Sequence, residues 1–94
     1  MITVGMNYQV LPDKNELFER VFNSVLGVMA ELEGHASTHL YRDVFEPQSY
    51  LIVSEWSSRE AFDAFISSPR FRSVTDFGKE QVLAGRPSHH IYER

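Results

Sequence analysis

The sequence predicts an α+β domain whose elements follow one another in the order β-α-β-β-α-β. Three observations support this prediction. The chain has 94 residues, which is the size of one domain, and we expect that domain to span residues 1–94. Residues 2–10 alternate between apolar and polar side chains, as in a half-buried strand. Residues 14–31 repeat apolar side chains every three or four positions, as in an amphipathic helix.

The first strand and the first helix have the clearest patterns. One face of the strand is apolar, and the other carries small or polar residues. The apolar face holds Ile2, Val4, Met6, Tyr8 and Val10, and the opposite face holds Thr3, Gly5, Asn7 and Gln9. Pro12 ends the strand, and Asp13 with Glu16 forms a capping-box pattern at the helix start. Gly34 is the expected residue just beyond the helix end.

The second half of the chain predicts two paired strands, a broken helix and a last strand. Ser57 is the expected N-cap of the second helix, with Glu60 as its capping-box partner. The pair Ser68-Pro69 predicts that this helix breaks and restarts, and Phe71 continues its apolar face. The expected strands lie at residues 36–45, 50–56 and 88–92, with a hairpin turn over 46–49 and a connecting stretch over 78–87.

This order of elements is the split βαβ arrangement of ferredoxin-like folds, in which the helices pack on one face of an antiparallel sheet. Whichever face of the first strand the helices cover, a second large sheet surface is left without a partner inside the chain. An uncovered surface of that size usually binds another protein. We therefore expect a homodimer.

Composition and charge exclude several classes of protein. The chain contains no cysteine, which excludes disulfides, zinc-thiolate sites and thiol nucleophiles, and its net charge of -4 disfavours nucleic-acid binding. The first residues hold neither a basic segment nor a long apolar one, and the longest apolar run, residues 51–53, is too short for a membrane span. We expect a cytoplasmic protein with no nucleic-acid or membrane partner.

The residues around the second helix resemble the antibiotic biosynthesis monooxygenase (ABM) family. The matching segments are residues 54–62, SEWSSREAF, and residues 67–71, SSPRF. In that family a strand ends in Trp, a capped helix carries Ala-Phe, and Ser-Pro-x-Phe marks the helix break. Residues 33–35, EGH, stand where the family has a Pro-Gly turn. The resemblance covers essentially the whole chain and implies a dimeric α/β barrel, with a cavity between sheet and helices in each protomer.

The resemblance also implies a function. Similar domains include cofactor-independent oxygenases of quinols and polycyclic phenols, heme-degrading monooxygenases, and members with no known activity. We expect a monooxygenase that acts on a small aromatic or quinol-type compound with O₂ and without a cofactor. Two alternatives stay open: a non-catalytic homodimer that binds a small apolar ligand or stabilises a partner, and an atypical heme-binding or heme-degrading protein.

The heme-degrading branch has three residues that this sequence matches only in part. It carries an Asn on the first strand, a Trp inside the second helix and a His nine to ten residues later. Asn7 matches the first, whereas Phe65 stands at the Trp position and Thr75 at the His position. Since Thr does not replace the axial His of heme proteins, we expect no ordinary heme chemistry.

The candidate site residues follow from these patterns together with the resemblance. Asn7 and Trp56 are the expected catalytic hydrogen-bond donors, and His39 is the expected base. His89 or His90 is the alternative base, and each histidine alternatively has a surface or structural role. Gly5 is expected to leave a gap at the helix–sheet interface, where a ligand would fit beside the Asn7 amide. The expected substrate-binding residues are Gly5, Phe62, Phe65 and Thr75.

Each candidate also has a structural interpretation. Asn7 is alternatively a satisfied buried amide, and Gly5 the mark of a β-bulge. Trp56 is alternatively a packing residue ahead of the helix cap, and Phe62 and Phe65 are alternatively plain core.

The four histidines do not predict a metal site. His35 is expected to be exposed, and His39 to share a strand face with polar and aromatic neighbours. His89 and His90 are adjacent on a strand, where neighbouring side chains point to opposite faces, so they cannot bind one ion together.

Overall fold

The computed structural model describes residues 1–84 and 88–93, and their side chains except those at positions 75, 78–81, 88–90, 92 and 93. Its elements are β1 (Ile2–Gln9), α1 (Asn15–Ala30), β2 (His35–Arg42), β3 (Ser49–Trp56), α2 (Arg59–Ile66), α3 (Pro69–Gln81) and β4 (Ser88–Glu93). The strands form one antiparallel sheet in the order β2-β3-β1-β4. The predicted α+β class and the ferredoxin-like split βαβ arrangement are therefore confirmed.

The strand register assigns alternate residues to the two faces of the sheet. In one row across it, Gly5 lies opposite Val53 on one side and His90 on the other, and Val53 lies opposite His39. The helices bury the even-numbered residues of β1 and β3. We call the uncovered side the open sheet face; its described residues include Thr3, Gly5, Asn7, Gln9, Ser37, His39, Tyr41, Leu51, Val53 and Glu55.

The start of α1 differs from the prediction. Lys14 is the N-cap residue, and no side chain caps this helix end. Asp13 has a φ of 67°, in the left-handed region, where the chain reverses direction ahead of the helix. The predicted capping box of Asp13 and Glu16 is therefore wrong, since Asp13 stands one position too early. Beyond the end of α1, Gly34 has a φ of 93°, as its predicted place after the helix suggests.

The two later helices begin at serine caps. Ser58, rather than the predicted Ser57, is the N-cap of α2, and its Oγ accepts a hydrogen bond of 3.2 Å from the Ala61 backbone N–H. The backbone N–H of Ser57 donates instead to the Gly34 carbonyl at 2.7 Å. The prediction for Ser68 is confirmed, because its Oγ accepts from the Phe71 N–H at 3.2 Å.

Helix α3 is longer than the sequence indicated. It continues to Gln81, past the position where the connecting stretch was expected to begin at residue 78. A single glycine inside a helix costs about 1 kcal/mol and does not by itself end it. After the helix, Val82 and Leu83 are buried, and Leu83 forms an isolated β-bridge with Val10. These two residues add to the core, a role that the sequence did not indicate.

Strand β2 ends at Arg42, three residues before its predicted end. The Asp43 carboxylate accepts hydrogen bonds from the backbone N–H groups of Phe45 at 2.7 Å and Glu46 at 3.0 Å. These bonds fold the chain into a turn, because the same N–H groups can no longer pair with a neighbouring strand. Val44 and Phe45 point away from the protein and are 89% and 92% exposed.

Trp56 is the centre of the core beneath α2. It is fully buried, and its indole Nε1–H donates a hydrogen bond of 3.0 Å to the Oγ of Ser54, which is also fully buried. The indole ring stacks on Phe65 at 5.3 Å and meets the edge of Phe62 at 5.9 Å. His35 contacts its other side at 5.0 Å and is half-buried, so the expectation that His35 is exposed is wrong.

The chain was expected to have no membrane-spanning segment. Over residues 1–84 and 88–93, no helix combines the length and apolar character that a membrane span requires.

The Ser54–Trp56 hydrogen bond should stabilise the fold measurably. Ser54→Ala leaves the buried indole N–H without an acceptor, and we expect a loss of about 1–3 kcal/mol in the free energy of unfolding. Ser49→Ala is the matched control on the same strand, because the Ser49 Oγ accepts only an exposed bond from Gln9 at 3.1 Å. Urea denaturation measures both variants. Equal stability losses would show that the buried bond stabilises the fold no more than the exposed bond does.

Gly27, which lies inside α1, and Gly34, which lies beyond its end, should respond in opposite ways to substitution by alanine. A Cβ on Gly34 would lie 2.5 Å from the Cβ of Ala61, on a backbone already at positive φ, so Gly34→Ala should destabilise the protein by about 1–3 kcal/mol. A Cβ on Gly27 of α1 would meet no atom within 4 Å. Gly27→Ala should therefore stabilise the helix by about 0.5–1 kcal/mol. A shift of the melting temperature in the same direction for both variants would refute this account.

Candidate functional site

The sequence-predicted site residues fall into two groups on opposite sides of the sheet. Gly5, Asn7 and His39 lie on the open sheet face, and Gly5 and His39 flank Val53 in one row. The expectation that Gly5 and Asn7 line the helix–sheet interface is therefore wrong. The physical reason is the alternation of β1: its large apolar residues occupy the side that the helices bury, and its polar track is left outside.

The structural interpretations of Gly5 as a β-bulge and of Asn7 as a buried amide are also wrong. β1 pairs with β3 in unbroken register from Ile2 to Gln9, so Gly5 marks no bulge; the irregularity of the sheet lies between His35 and Ser37. A Cβ on Gly5 would meet only Leu51 Cδ1, at 3.8 Å. Asn7 is exposed rather than a buried amide.

Trp56, Phe62 and Phe65 lie in the core beneath α2. Because the Trp56 N–H is already bonded to Ser54, the structure favours its packing role over that of a donor to substrate. Phe62 and Phe65 are each 1% exposed and contact the indole ring, which favours plain core. The side chain of Thr75 lies outside the described part of the structure, as do those of His89 and His90.

An apolar cavity of about 60 Å³ lies between the sheet and helices α1 and α3. Its walls come from β1, α1, β3, α3 and the segment after α3. The lining residues are Tyr8, Phe18, Val21, Phe22, Val25, Ile52, Phe71, Val74, Val82 and Leu83. Among the described lining residues, Tyr8 is the one with a polar side-chain group, so the cavity is suited to an apolar molecule with a single hydroxyl or carbonyl.

The Tyr8 hydroxyl makes a weak hydrogen bond. It donates to the thioether of Met6 at 3.7 Å, and sulfur is a weak acceptor. Burial raises the pKa of Tyr8 to about 12, so the phenol keeps its proton at neutral pH and can donate a hydrogen bond. Sequence reasoning placed Tyr8 on the apolar face but assigned it no role. A tyrosine on the apolar face of a strand is itself a signal in the sequence, because its hydroxyl needs a polar partner when it is buried.

A polar cluster beside the cavity fixes the start of α1. The Tyr50 hydroxyl donates to Glu19 Oε2 at 2.7 Å and accepts from Asn15 Nδ2 at 3.0 Å. Burial is the main cause that raises the pKa of Tyr50, and the hydrogen bond to Glu19 adds to it. The Tyr50 ring lies 4.6 Å from that of Phe18, which in turn lies 5.5 Å from Tyr8. The cluster therefore positions one wall of the cavity.

The size of the cavity limits what it can hold without movement. An engineered apolar cavity of about 150 Å³ in another protein is large enough for benzene. At about 60 Å³, the cavity here admits an aromatic ring only if its lining moves apart. Val21, Val25 and Val74 are half-buried, so the cavity reaches the surface along the line where α1 and α3 meet. This line is the natural place for it to widen.

Comparison with known proteins agrees with this architecture. The sequence pattern of the antibiotic biosynthesis monooxygenase family matches residues 1–76. The chain belongs to this family. Antibiotic biosynthesis monooxygenase domains are generally dimeric.

Two haloarchaeal relatives of this ABM domain carry names that provisionally assign heme binding. One, from Natronomonas pharaonis, is 40% identical over 87 residues, which cover 93% of this chain and 14% of that protein. The other, from Halobacterium salinarum, is 38% identical over 87 residues, which cover 93% of this chain and 18% of that protein. The chain thus spans less than a fifth of each relative, and the names do not say which part of those proteins binds heme.

Solved structures share the fold of this ABM domain. A conserved protein from Methanosarcina mazei has a TM-score of 0.91 at 24% identity, over 99% of this chain and 91% of that one. SnoaB, a cofactor-independent oxygenase from Streptomyces nogalater, has a TM-score of 0.84 at 20% identity, over 99% of this chain and 91% of that one. At these identities the likeness establishes the fold alone.

The described residues around the cavity of this ABM domain do not fit heme. None of the described residues that line it is a histidine. His35 is engaged with Thr38 Oγ1 at 2.6 Å, and His39 lies on the open sheet face. Among the described residues, no group of three or more His, Cys, Asp or Glu is placed to hold a metal ion.

The raised pKa of Tyr8 predicts a pH dependence of stability. Above about pH 10 the unfolded chain loses a proton that the folded protein keeps until about pH 12, so stability falls as pH rises through this range. Tyr8→Phe removes this contribution. We expect the variant to lose less stability than the wild type between about pH 9 and about pH 11.5, measured by urea denaturation. Parallel losses in both proteins would mean that Tyr8 is not buried as described.

Proposed function

We propose that this ABM domain binds a small phenolic or quinol-type aromatic compound beneath α1 and α3 and oxygenates it with O₂, without a cofactor. The observation that carries the proposal is the apolar cavity, in whose described lining Tyr8 is the one residue with a polar side-chain group. Apolar walls suit an aromatic ring, and one donor suits one phenol oxygen. The cytoplasmic location expected from the sequence is part of the same proposal.

The chemistry requires little from the protein, because the substrate supplies all the electrons. A phenol such as 1-naphthol loses four electrons when it becomes a quinone. O₂ accepts them: one oxygen atom enters the quinone and the other leaves as water, together with the two hydrogens that the phenol gives up. The protein has to hold the ring, favour the ionised phenol and exclude competing solvent reactions.

Tyr8 is the residue that we assign to the second task. Its hydroxyl stays protonated at neutral pH and can donate to the oxygen of a bound phenolate, which lowers the energy of the ionised substrate. The phenol proton leaves to water at the cavity opening, since none of the described residues that line the cavity carries a carboxylate or an imidazole. His39, the base expected from the sequence, lies on the opposite side of the sheet.

A second candidate function is non-catalytic binding of the same class of ligand. The observation that favours it is that the described residues of the cavity lining include no carboxylate or imidazole that could act as a base. The two functions differ in one measurement, namely O₂ uptake by protein saturated with 1-naphthol. Incorporation of labelled oxygen from ¹⁸O₂ into naphthoquinone supports oxygenation, and binding without uptake supports the non-catalytic function.

Filling the cavity should abolish binding of 1-naphthol. A ligand held at 100 times its dissociation constant stabilises the folded protein by about 2.7 kcal/mol, which a thermal-shift assay detects. Val25→Phe places a ring in the cavity, so we expect this variant to fold but to show no shift. Val44→Phe, the same substitution at the exposed hairpin turn, should respond like the wild type. An undiminished shift in Val25→Phe would place the ligand elsewhere.

The open sheet face is the surface through which we propose that the protein forms a homodimer. Leu51 and Val53 are apolar residues near its centre, and Tyr41 beside them is 54% exposed. In the isolated protomer no helix covers these side chains. A second copy that presents the same face would bury them symmetrically, as in a two-fold interface.

Positive charges introduced on the open sheet face should prevent the protomers from forming a dimer. We expect the wild type to scatter light as a particle of twice 10.9 kDa at micromolar concentration, and Leu51→Lys with Val53→Lys to scatter as a folded monomer. Phe77→Lys is the control, because Phe77 is an exposed apolar residue on α3. A monomeric wild type, or a double variant that stays dimeric, would rule out this interface.

A further inference from the structure

A shallow groove lies next to the apolar cavity, along the same pair of helices. The groove has a volume of about 360 Å³ and shares Val74 with the cavity. On α1, Val25 is the last residue that lines the cavity, and Ser24 and Val28 line the groove. On α3 the groove adds Arg70 and Ser73, together with Pro69. A ligand that enters between α1 and α3 would therefore extend from the cavity into this groove.

The groove differs from the cavity in its chemistry. Arg70 brings a guanidinium group, and Ser24 and Ser73 bring hydroxyls, beside the apolar Val28 and Val74. The pairing of Arg70 with Glu31 is weak, because the two groups are 3.7 Å apart and their side chains are 71% and 75% exposed. Glu31 does not line the groove. Arg70 thus keeps donors with which it can bind a carboxylate in a bidentate manner.

We propose that Arg70 makes this site specific for an aromatic compound that carries an acidic group at the end remote from its phenol. The ring would lie in the widened cavity, with its phenol oxygen at Tyr8 and its carboxylate at Arg70 in the groove. This inference rests on the proposed function and adds the class of ligand to it. It identifies Arg70 as a specificity-determining residue outside the apolar cavity.

The opposite side of α3 offers a built-in comparison. There Arg72 and Asp76 line a separate recess together with Ile66 and Phe71. The lining of this recess includes the Asp76 carboxylate, whereas Glu31 lies outside the described lining of the groove, so the groove is the better site for an acid. Arg70 and Arg72 are two residues apart on one exposed helix, so the same substitution at each position changes the net charge equally. Arg70 lines the groove that shares Val74 with the cavity, and Arg72 lines the recess that shares Phe71 with it.

The experiment measures dissociation constants of two matched probes by fluorescence titration under nitrogen. The probes are 1-naphthol and 5-hydroxy-1-naphthoate, which adds a carboxylate at the far end of the same ring system. We expect the wild type to bind the acid about tenfold more tightly, a difference of about 1.4 kcal/mol. Arg70→Gln should remove this preference and leave the affinity for 1-naphthol unchanged. Arg72→Gln should keep the preference.

The outcomes separate this inference from the proposed function. Equal binding of both probes by the wild type, or a preference that survives Arg70→Gln, overturns the role of Arg70 while 1-naphthol binding in the cavity still stands. Loss of the preference in Arg72→Gln as well as in Arg70→Gln points to a general charge effect and also overturns it. If neither probe binds, both the inference and the proposed function fail.

Discussion

Alternation along β1 is the constraint on which the rest of the molecule depends. Burial of Ile2, Val4 and Met6 beneath the helices fixes the side of the sheet on which each remaining residue of the strand lies. It brings Tyr8 to the cavity and turns Gly5 to the open sheet face. A shift of one residue in the register would exchange these roles, since successive side chains of a strand point to opposite faces.

Local sequence signals predicted the elements well wherever the deciding interaction is itself local. The Ser68 cap before Pro69 needed only the next three residues, and it is present. Asp13 followed the same rule and failed, because a reversal of the chain at positive φ comes before the helix and Lys14 takes the cap position. The Asp43 turn shortened β2 by a side-chain hydrogen bond that strand periodicity does not reveal.

The candidate site was less predictable because it depends on which sheet face the helices cover. The polar track of β1 suggested a ligand site, yet polarity there reflects the uncovered face of the sheet. Phe71 was expected on the apolar face of α3, and it does line the cavity. Val82 and Leu83 were missed, because they follow the helix in a stretch without periodicity and pair with residues 9–11, which are distant in the sequence.

The central claim is that a small aromatic ligand lies between the sheet and helices α1 and α3. The most direct test is nuclear Overhauser spectroscopy of methyl-labelled protein saturated with 1-naphthol. The account predicts contacts from the ligand ring protons to the methyl groups of Val25 and Val74. Contacts confined to the methyl groups of Leu51 and Val53, on the open sheet face, would contradict it.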